Sequence, residues 1–546
     1  LHRLYAPVAR WGMRRRKYIL LAALAAVVLT FLPVARLGSE FMPPLWEETL
    51  LYMPITLPGI SIQEAGRVLE MQDRVLKAFP EVQSVFGKAG RAETPLDPAP
   101  LSMMETTIVF KPESQWPSGM THEKLIQQMN QALQVPGYTN DWIGPIQNRI
   151  DMLSTGIRTP IGIKVLGDNF RNIEKASEDI EKAVRGIPGT RNVFAERVTS
   201  GYYVDINIKR DALALYGMSV KDLDDFIQSA IGGDTVSETV EGRARFPITV
   251  RLNRDFRDTP DKIRRIPLIT PTGQHIQFGQ VAEVSLSTGP GMIRDENGFL
   301  AGYVYVDLAG RDPGSWVAEA QKVVAQKVQL PPGINLVWSG QYESMERAAK
   351  RLKVMIPLTL LLVFLLIYFN TKSFTKTFLV LLAVPFSLVG AFWILWLLGY
   401  NLSVAVAVGM IALAGLDAEI GVVMLLYLDI AYRRAWDEGR LRSRKELEEV
   451  VLEGAITRLR PMLMTVGAAW MGLIPILFSN GVGSDVMKRV AAPMVGGLLT
   501  AFAITLLVFP ILFSVWKWHT EIGPRVERKN SNGVGEWFWR WVKKIG

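Results

Sequence analysis

Residues 412–424 read A-L-A-G-L-D-A-E-I-G-V-V-M and lie inside an apolar run from Leu402 to Leu428. This run is long enough to cross a bilayer as a helix, yet it contains two carboxylates, Asp417 and Glu419. A carboxylate at the centre of a membrane helix costs roughly 2.5–3.5 kcal/mol on insertion scales. Two carboxylates so close together therefore indicate a function, such as carrying protons, rather than folding alone.

Asp417 and Glu419 cannot share one face of a helix, because two residues correspond to a rotation of about 200°. Glu419 lies above Gly415 and Ala412, and small residues let another helix come close. Glu419 is therefore the leading candidate for a proton carrier. The alternative is that the two carboxylates are a structural pair, hydrogen-bonded inside a helix bundle.

The composition indicates a chain that is partly in a membrane and partly in water. Of its 546 residues 49% are hydrophobic and 21% are charged, and the mean hydropathy is +0.18. The net charge is +9, but basic residues cluster beside apolar runs, as at Arg14–Lys17 and Arg440–Lys445, which is the positive-inside pattern. We therefore expect a lipid bilayer, and no nucleic acid, as a partner. The chain has no cysteine and 20 methionines, so any soft-metal site must use thioethers.

Six apolar runs predict six transmembrane helices, at residues 18–37, 354–369, 378–398, 402–428, 461–478 and 493–516. The first run lacks a cleavage site and is predicted to be a retained helix. An even number of spans places both ends on one side, and the basic loops assign that side to the cytoplasm. Residues 430–460 are predicted to be a charged loop with a surface helix.

The chain is predicted to comprise an N-terminal segment with the first span (1–37), an external domain (38–350), a five-helix bundle (351–525) and a basic, Trp-rich tail (526–546). The tail either lies on the membrane surface or is disordered. Predicted strands of the external domain are 50–56, 105–111, 161–166, 202–208, 246–252 and 303–308. A weak repeat of helix end, Pro turn and strand joins Val75–Phe86 to Ala183–Phe194, with a looser copy at Ala320–Trp338. These features predict an external α+β domain built from βαβ-type sandwich repeats.

Three methionines of the external domain stand out by their context. Met53 is in a strand before a Pro-rich turn, Met103 precedes a strand, and Met152 is in a polar segment bounded by glycines. Neutral, soft thioethers suit Cu(I) and Ag(I) and suit Zn(II) poorly. Taken singly, however, a methionine more often fills a gap in a core, so the residues alone leave both readings open.

The layout of one span, a large external domain and five further spans resembles half of a resistance-nodulation-division (RND) exporter. The motif A-L-A-G-x-x-A-E-x-G-V-V-M-L resembles the heavy-metal efflux branch of that superfamily, and within it the copper/silver (Cus-type) inner-membrane exporters. The similarity continues through Gly87–Thr94, Asp97–Met103, Asn148–Ile157, Thr239–Arg245, Ser287–Pro290 and Ala491–Gly497. It implies a polytopic α-helical membrane protein that is the C-terminal half of a twelve-span fold. Because the chain begins at Leu1 rather than Met, we expect a fragment or the later part of a longer polypeptide.

The resemblance also implies a metal pathway. A three-methionine site of the family matches Met53, Met103 and Met152. Polar residues that line the family's cleft match Asp97, Glu105, Arg149 and Arg158, and a possible relay methionine matches Met487. Glu105 and Arg149 are expected to shape the cleft by charge rather than to ligate the metal. At Thr235 this chain lacks a methionine of the family's relay.

The driving force implied by the resemblance is a proton gradient. The family's relay joins the carboxylate at Glu419 to an aspartate of the N-terminal half and to a lysine on the eleventh helix. Met462 stands at that lysine position, so Asp417 is hypothesised to act as a second proton-carrying group. No G-x-x-x-x-G-K-[ST] motif occurs, and no cofactor is expected. The expected partners are the N-terminal half, two further copies in a homotrimer, a periplasmic adaptor and an outer-membrane channel.

Three alternatives remain open from the sequence. The first is a zinc, cobalt or nickel exporter of the same superfamily, and the second is a non-transporting membrane subunit with the RND fold. The third is a membrane-anchored enzyme, but the external domain shows no nucleophile–base pattern, and His122 and His275 are isolated. We therefore expect a transporter and not an enzyme, located in the inner membrane with a large periplasmic domain.

Overall fold

The computed structural model describes residues 2–43, 45–56, 59–90 and 100–525. The tail 526–546, for which a surface-bound or disordered state was predicted, lies outside these residues. The helices are α1 (His2–Arg14), α2 (Arg16–Leu29), α3 (Phe31–Arg36), α4 (Ile62–Lys77), α5 (His122–Ala132), α6 (Pro145–Thr155), α7 (Phe170–Val184), α8 (Arg210–Leu215), α9 (Val220–Phe226), α10 (Pro260–Arg264), α11 (Phe278–Val281), α12 (Pro313–Lys327), α13 (Gln341–Thr371), α14 (Phe374–Leu381), α15 (Ala383–Leu398), α16 (Val404–Asp437), α17 (Arg444–Leu477) and α18 (Ser484–Lys517).

The strands all belong to the extramembrane domain. They are β1 (Thr49–Tyr52), β2 (Val82–Ala89), β3 (Met104–Phe110), β4 (Trp142–Ile143), β5 (Ile161–Gly167), β6 (Thr190–Ala195), β7 (Gly201–Ile208), β8 (Asp234–Glu241), β9 (Ala244–Val250), β10 (Pro267–Ile269), β11 (His275–Gln277), β12 (Ala282–Gly289), β13 (Asp295–Glu296), β14 (Phe299–Leu308) and β15 (Asn335–Gly340). Every predicted strand overlaps an observed one.

Six helical segments of the described chain are long and apolar enough to cross a membrane, by length and composition. They are Arg16–Arg36, Gln341–Thr371, Phe374–Leu398, Val404–Asp437, Arg444–Leu477 and Ser484–Arg525. The predicted number of spans is therefore confirmed. Several of these helices are longer than the apolar runs that revealed them, so they extend beyond the hydrocarbon core of a bilayer.

The prediction of a charged loop with a separate surface helix at residues 430–460 was wrong. Helix α16 continues to Asp437 and α17 already begins at Arg444, so only residues 438–443 connect them. The Ser443 side chain and Glu446 form a capping box at the start of α17, which satisfies otherwise unpaired N–H groups. The charged residues therefore lie on helical extensions of two membrane spans, and buried side chains such as Leu447 and Val451 hold this extension against its neighbours.

Two helices of the membrane region approach each other closely at glycines. A Cβ atom added to Gly390 of α15 would lie 2.1 Å from the carbonyl oxygen of Gly496 in α18, and one added to Gly496 would lie 2.3 Å from the oxygen of Gly390. Thr500 reinforces the crossing, because its hydroxyl donates to the Ser387 carbonyl over 3.2 Å. Small residues at a membrane helix crossing permit such backbone contact.

The first unit of the extramembrane domain has the order β1-α4-β2-β3-α5-β4 along the chain. Its antiparallel sheet has the strand order β2-β3-β1-β4, which is the split βαβ arrangement of ferredoxin-like folds. Leu50, Tyr52 and Ile108 face Leu76 of α4 and Leu125 of α5 in one core. The two helices therefore cover one face of this sheet.

The second unit repeats this topology. Strands β6, β14, β5 and β15 form an antiparallel sheet in that order, with β13 on the β6 side of β14, and α7 and α12 supply the helices. The sequence repeats fall at equivalent places, where α4 leads into β2, α7 into β6 and α12 into β15. The predicted repeat of βαβ-type units is thus confirmed.

Residues 201–289, between β6 and β13, carry a separate structure with its own core, which includes Leu213, Phe278 and Val284. Strands β8 and β9 form a hairpin within it. Nearly all residues of the hairpin are exposed, including Val236 and Phe246. The hairpin therefore projects from the body of this insertion.

Candidate functional site

Two of the three predicted methionines lie on the same face of the first sheet. Met53 directly follows β1, is 0% exposed, and donates its backbone N–H to the Asp141 carbonyl oxygen over 2.9 Å. It packs with Leu51, Ile143 and the half-buried Met103 in a small apolar cluster. Because side chains alternate along a strand, this cluster lies on the face opposite the one that α4 and α5 cover.

Helix α6 lies against this second face and carries the third methionine. The Asn148 side-chain amide is 3.5 Å from the Met53 sulfur. Met152 follows Asn148 by four residues, so both side chains lie on the same side of the helix. Met152 is half-buried, and the helix ends at Gly156 with φ of 76°, a conformation that favours glycine. The fold thus brings Met53 and Met103 together and places Met152 on the face of α6 that approaches Met53.

Arg158 is bound to the sulfur of Met103. Its Nη1 lies 2.9 Å from that sulfur, its Nε donates to Asp141 Oδ2 over 3.2 Å, and its guanidinium carbon lies 4.2 Å from the centre of the Tyr305 ring. The Arg158 side chain is only 6% exposed. The residue was predicted to line the cleft, and its direct contact with a thioether could not be inferred from the sequence.

A cavity of about 310 Å³ lies between the two units beside Met103. The first unit contributes Ile55, Leu101 and Met103, and the second contributes Glu196 and Met292. Arg158 also lines the cavity, whereas Met53 does not. Met292 was missed from the sequence, because it follows the segment S-T-G-P without any periodic or motif signal of its own.

The other residues predicted for the metal pathway are dispersed. Glu105 lies two residues after Met103, on the same side of its strand, and pairs with Lys88 over 3.1 Å. Arg149 is exposed on α6, and Asp97 lies outside the described residues. Met487 lies in the first turn of α18, not ahead of the helix, and is 51% exposed, whereas Thr235 lies on the exposed hairpin strand β8.

Next to the methionines, a buried ionic network joins the two units. Asp307 of β14 lies 3.6 Å from Arg191, and Arg191 also pairs with Glu123 over 2.8 Å. Burial raises the pKa of Asp307 to about 8, and the nearby Asp141 carboxylate adds to this rise. Burial likewise raises the pKa of Asp141, against the opposing effect of Arg158. The Arg191–Glu123 ion pair crosses from the second unit to the first.

The two membrane carboxylates have opposite environments, as their 200° separation predicted. Asp417 is 0% exposed, and neither of its oxygens accepts a hydrogen bond from a described residue. Glu419 is exposed and lines an apolar groove of about 320 Å³ between α13 and α16, beside Gly415. Met462, which the resemblance matches to a lysine of the family, is buried in the core of the bundle.

The remaining titratable candidates do not form a metal centre. His122 is half-buried, stacks on Trp46 with ring centres 3.5 Å apart, and pairs with Glu113 over 2.9 Å. His275 is exposed. Among the residues that the structure describes, no group of three or more His, Cys, Asp or Glu side chains is placed to hold a metal ion.

Comparisons with known proteins agree with this architecture. Residues 1–517 match the family model described as the AcrB/AcrD/AcrF family. The chain is 44% identical to "Cation efflux system protein CusA" of Escherichia coli over 521 residues, which cover 95% of the chain and 50% of that protein. It is also 44% identical to "Putative cation efflux system protein SilA" of Salmonella typhimurium, over 94% of the chain and 49% of that protein. Identity to "Cobalt-zinc-cadmium resistance protein CzcA" of Cupriavidus metallidurans is 34%, over 92% of the chain and 48% of that protein.

A solved structure extends the likeness to the fold. The crystal structure of a heavy metal efflux pump superposes with a TM-score of 0.83 at 30% identity, covering 93% of this chain and 51% of that one. The chain therefore spans about half the length of the relatives it matches, which fits the C-terminal half of such a pump. By its family match and its fold, the chain belongs to the AcrB/AcrD/AcrF family, within the heavy-metal efflux branch of the RND superfamily.

Proposed function

We propose that this chain is the C-terminal half of a proton-driven exporter of Cu(I) and Ag(I). The observation that carries the proposal is the cluster of Met53 and Met103 on one sheet face, with Met152 on the helix packed over it. Two neutral sulfurs, packed with Leu51 and Ile143, offer a soft, monovalent ion ligands that it prefers over water. Met103 lines the cavity and Met53 does not, so the ion would enter by way of Met103.

The chemistry of the site supports Cu(I) and Ag(I) over Zn(II), Co(II) or Ni(II). Those divalent ions prefer imidazole, carboxylate or thiolate ligands. Within the described part of the chain no suitable cluster of such side chains exists. The higher identity to the CusA and SilA proteins than to the CzcA protein supports the same assignment.

The two membrane carboxylates would carry the protons that drive export. Glu419 is exposed beside Gly415, where a helix of the N-terminal half could pack and bring a second carboxylate close. Asp417, buried inside this half, would be a second proton-carrying site. The Cys-free external domain would lie in the periplasm, and the complete pump would be a homotrimer joined to a periplasmic adaptor and an outer-membrane channel.

Complementation of a metal-sensitive host tests the driving force. We expect this chain, co-expressed with an N-terminal half, the adaptor and the channel, to restore growth on silver and copper in a strain without its own exporter. Glu419→Gln should abolish that growth, because an amide cannot carry a proton, while the chain is still made at normal levels. Glu449→Gln, at an exposed glutamate of α17, is the matched control and should leave growth intact. Restoration of zinc or cobalt resistance alone, or full silver resistance with Glu419→Gln, would contradict the proposal.

A further inference from the structure

The contact between Arg158 and Met103 places a permanent positive charge on a sulfur that the proposed function assigns to a metal ion. The Arg158 Nη1 to Met103 Sδ distance of 2.9 Å is short for a donor to sulfur, which is only a weak acceptor. We propose that Arg158 is an internal competitor that occupies the Met103 sulfur in the metal-free protein and is displaced by a monovalent soft metal ion. This inference rests on the proposed function. It adds a gate to the metal site, namely the Arg158 side chain, which must move before the ion can bind.

Arg158 and a metal ion cannot share this sulfur. An arginine stays protonated in proteins, and in a buried environment two positive charges at neighbouring positions repel strongly. The Arg158 and Asp141 side chains are each only 6% exposed, so water screens this repulsion weakly. The guanidinium must therefore leave the sulfur when an ion binds there.

Displacement of the Arg158 guanidinium from the sulfur favours a monovalent ion over a divalent one. In the metal-free protein the buried Asp141 carboxylate pairs with the single charge of Arg158 over 3.2 Å, and Arg191 also acts on it. An ion of charge +1 that takes this place keeps the balance, and Asp141 Oδ1 accepts no hydrogen bond from a described residue. A divalent ion would leave one uncompensated buried positive charge, which is costly.

The structure offers Arg158 a route away from the sulfur. Its guanidinium stacks on Tyr305, and the Tyr305 hydroxyl donates to Glu196 over 3.0 Å. Arg158 and Glu196 both line the cavity of about 310 Å³. The Arg158 Nη2 atom donates to no described residue, so moving over the ring into the cavity breaks only the bonds to Asp141 and Met103. There Glu196, which already pairs with Arg294, offers a carboxylate that the two guanidinium groups would share.

A silver titration of the purified full chain in detergent tests this gate. Ag(I) binding is measured by calorimetry for the wild type and for Arg158→Gln, in which the side chain can still donate to Asp141 but carries no charge. If Arg158 competes for the sulfur, Arg158→Gln should bind Ag(I) more tightly, by roughly tenfold for the loss of one charged hydrogen bond. If Arg158 only supports the fold of the site, the same variant should bind Ag(I) more weakly.

Three further variants make the result decisive. Arg185→Gln removes an equal charge from an exposed side chain of the second unit and should leave Ag(I) affinity unchanged. Adding Met103→Leu to Arg158→Gln should abolish the gain, because the freed sulfur is then absent. Should Arg158→Gln fail to fold, Arg158→Lys replaces it, since a single ammonium cannot keep the forked geometry to both Asp141 and Met103, and should also tighten binding.

Equal or weaker Ag(I) binding by a folded Arg158 variant would overturn the gate while leaving a Met103-dependent silver site intact. Absence of Ag(I) binding to the wild type would overturn the proposed function, and the gate with it. The two failures are therefore distinguishable in one set of titrations.

Discussion

Replacing Asp417 by asparagine removes a charge from the interior of the helix bundle. The Ser387 hydroxyl of α15 faces Asp417, but it donates its proton to the carbonyl of Val384 over 2.9 Å. The geometry therefore leaves both Asp417 oxygens without a donor among the described residues. An ionised Asp417 has no proton to give, whereas the asparagine amide can donate to the Ser387 oxygen.

The expected gain in stability follows from the cost of an unsatisfied buried group. Leaving a buried acceptor without its partner costs about 1–3 kcal/mol, and more when the group is charged. Asp417→Asn should therefore raise the free energy of unfolding of the isolated chain by about 1–3 kcal/mol. The same variant should sharply reduce silver resistance in the full transporter, because an amide cannot carry a proton. Such a trade of activity for stability is common at functional sites.

Unfolding of the purified chain in mixed micelles, followed by circular dichroism, measures the change in the free energy of unfolding. Glu419→Gln is the control, since its exposed side chain should change stability by no more than about 0.5 kcal/mol. A destabilised Asp417→Asn would refute the reasoning, because it would show that the carboxylate stabilises this half. Unchanged silver resistance would remove Asp417 from the proton pathway.

Other regions of the chain give further predictions. Burial raises the pKa of Asp307 from 3.8 to about 8, so between these pH values the folded protein holds a proton that the unfolded chain has released. The free energy of unfolding should therefore fall as the pH rises from 3.8 to about 8, and Asp307→Asn should flatten this slope in thermal melts. Gly390→Ala would bring its Cβ within 2.1 Å of Gly496 and should destabilise the bundle by about 1–3 kcal/mol in the same melts. Gly415→Ala, whose Cβ meets no described atom within 4 Å, should leave the melting of this half unchanged but weaken its co-purification with an N-terminal half. Met292→Leu should weaken Ag(I) binding in calorimetric titrations without changing the melting temperature, because the cavity loses a thioether at nearly constant volume.

The membrane architecture could be predicted because local composition decides it. Apolar runs located all six spans, and a rotation of 100° per residue placed Asp417 and Glu419 on opposite sides of α16. The extension of α17 does not follow from hydropathy, because its charged residues resemble the end of a membrane span. The capping pair Ser443 and Glu446 is the sequence signal for the start of this helix.

The metal cleft was harder to predict from the sequence, because its contacts join distant parts of the chain. Arg158 meets Met103 and Asp141 only after the connection between the two units folds back. Tyr305 and Asp307 reach the same place from β14, beyond the insertion of residues 201–289. The periodicity of a single segment does not reveal contacts between residues that are distant in sequence. The resemblance to a family pointed to Met53, Met103 and Met152 but not to Met292.

A metal titration of the purified chain tests the central claim most directly. Cu(I), Ag(I) and Zn(II) are titrated separately into the wild type and into Met53→Leu, Met103→Leu and Met152→Leu, which nearly preserve side-chain volume. We predict that the wild type binds Cu(I) and Ag(I) but not Zn(II), and that each leucine variant binds the two monovalent ions more weakly while its melting temperature stays close to that of the wild type. Tight Zn(II) binding, or Ag(I) affinity that survives the loss of all three methionines, would contradict the account.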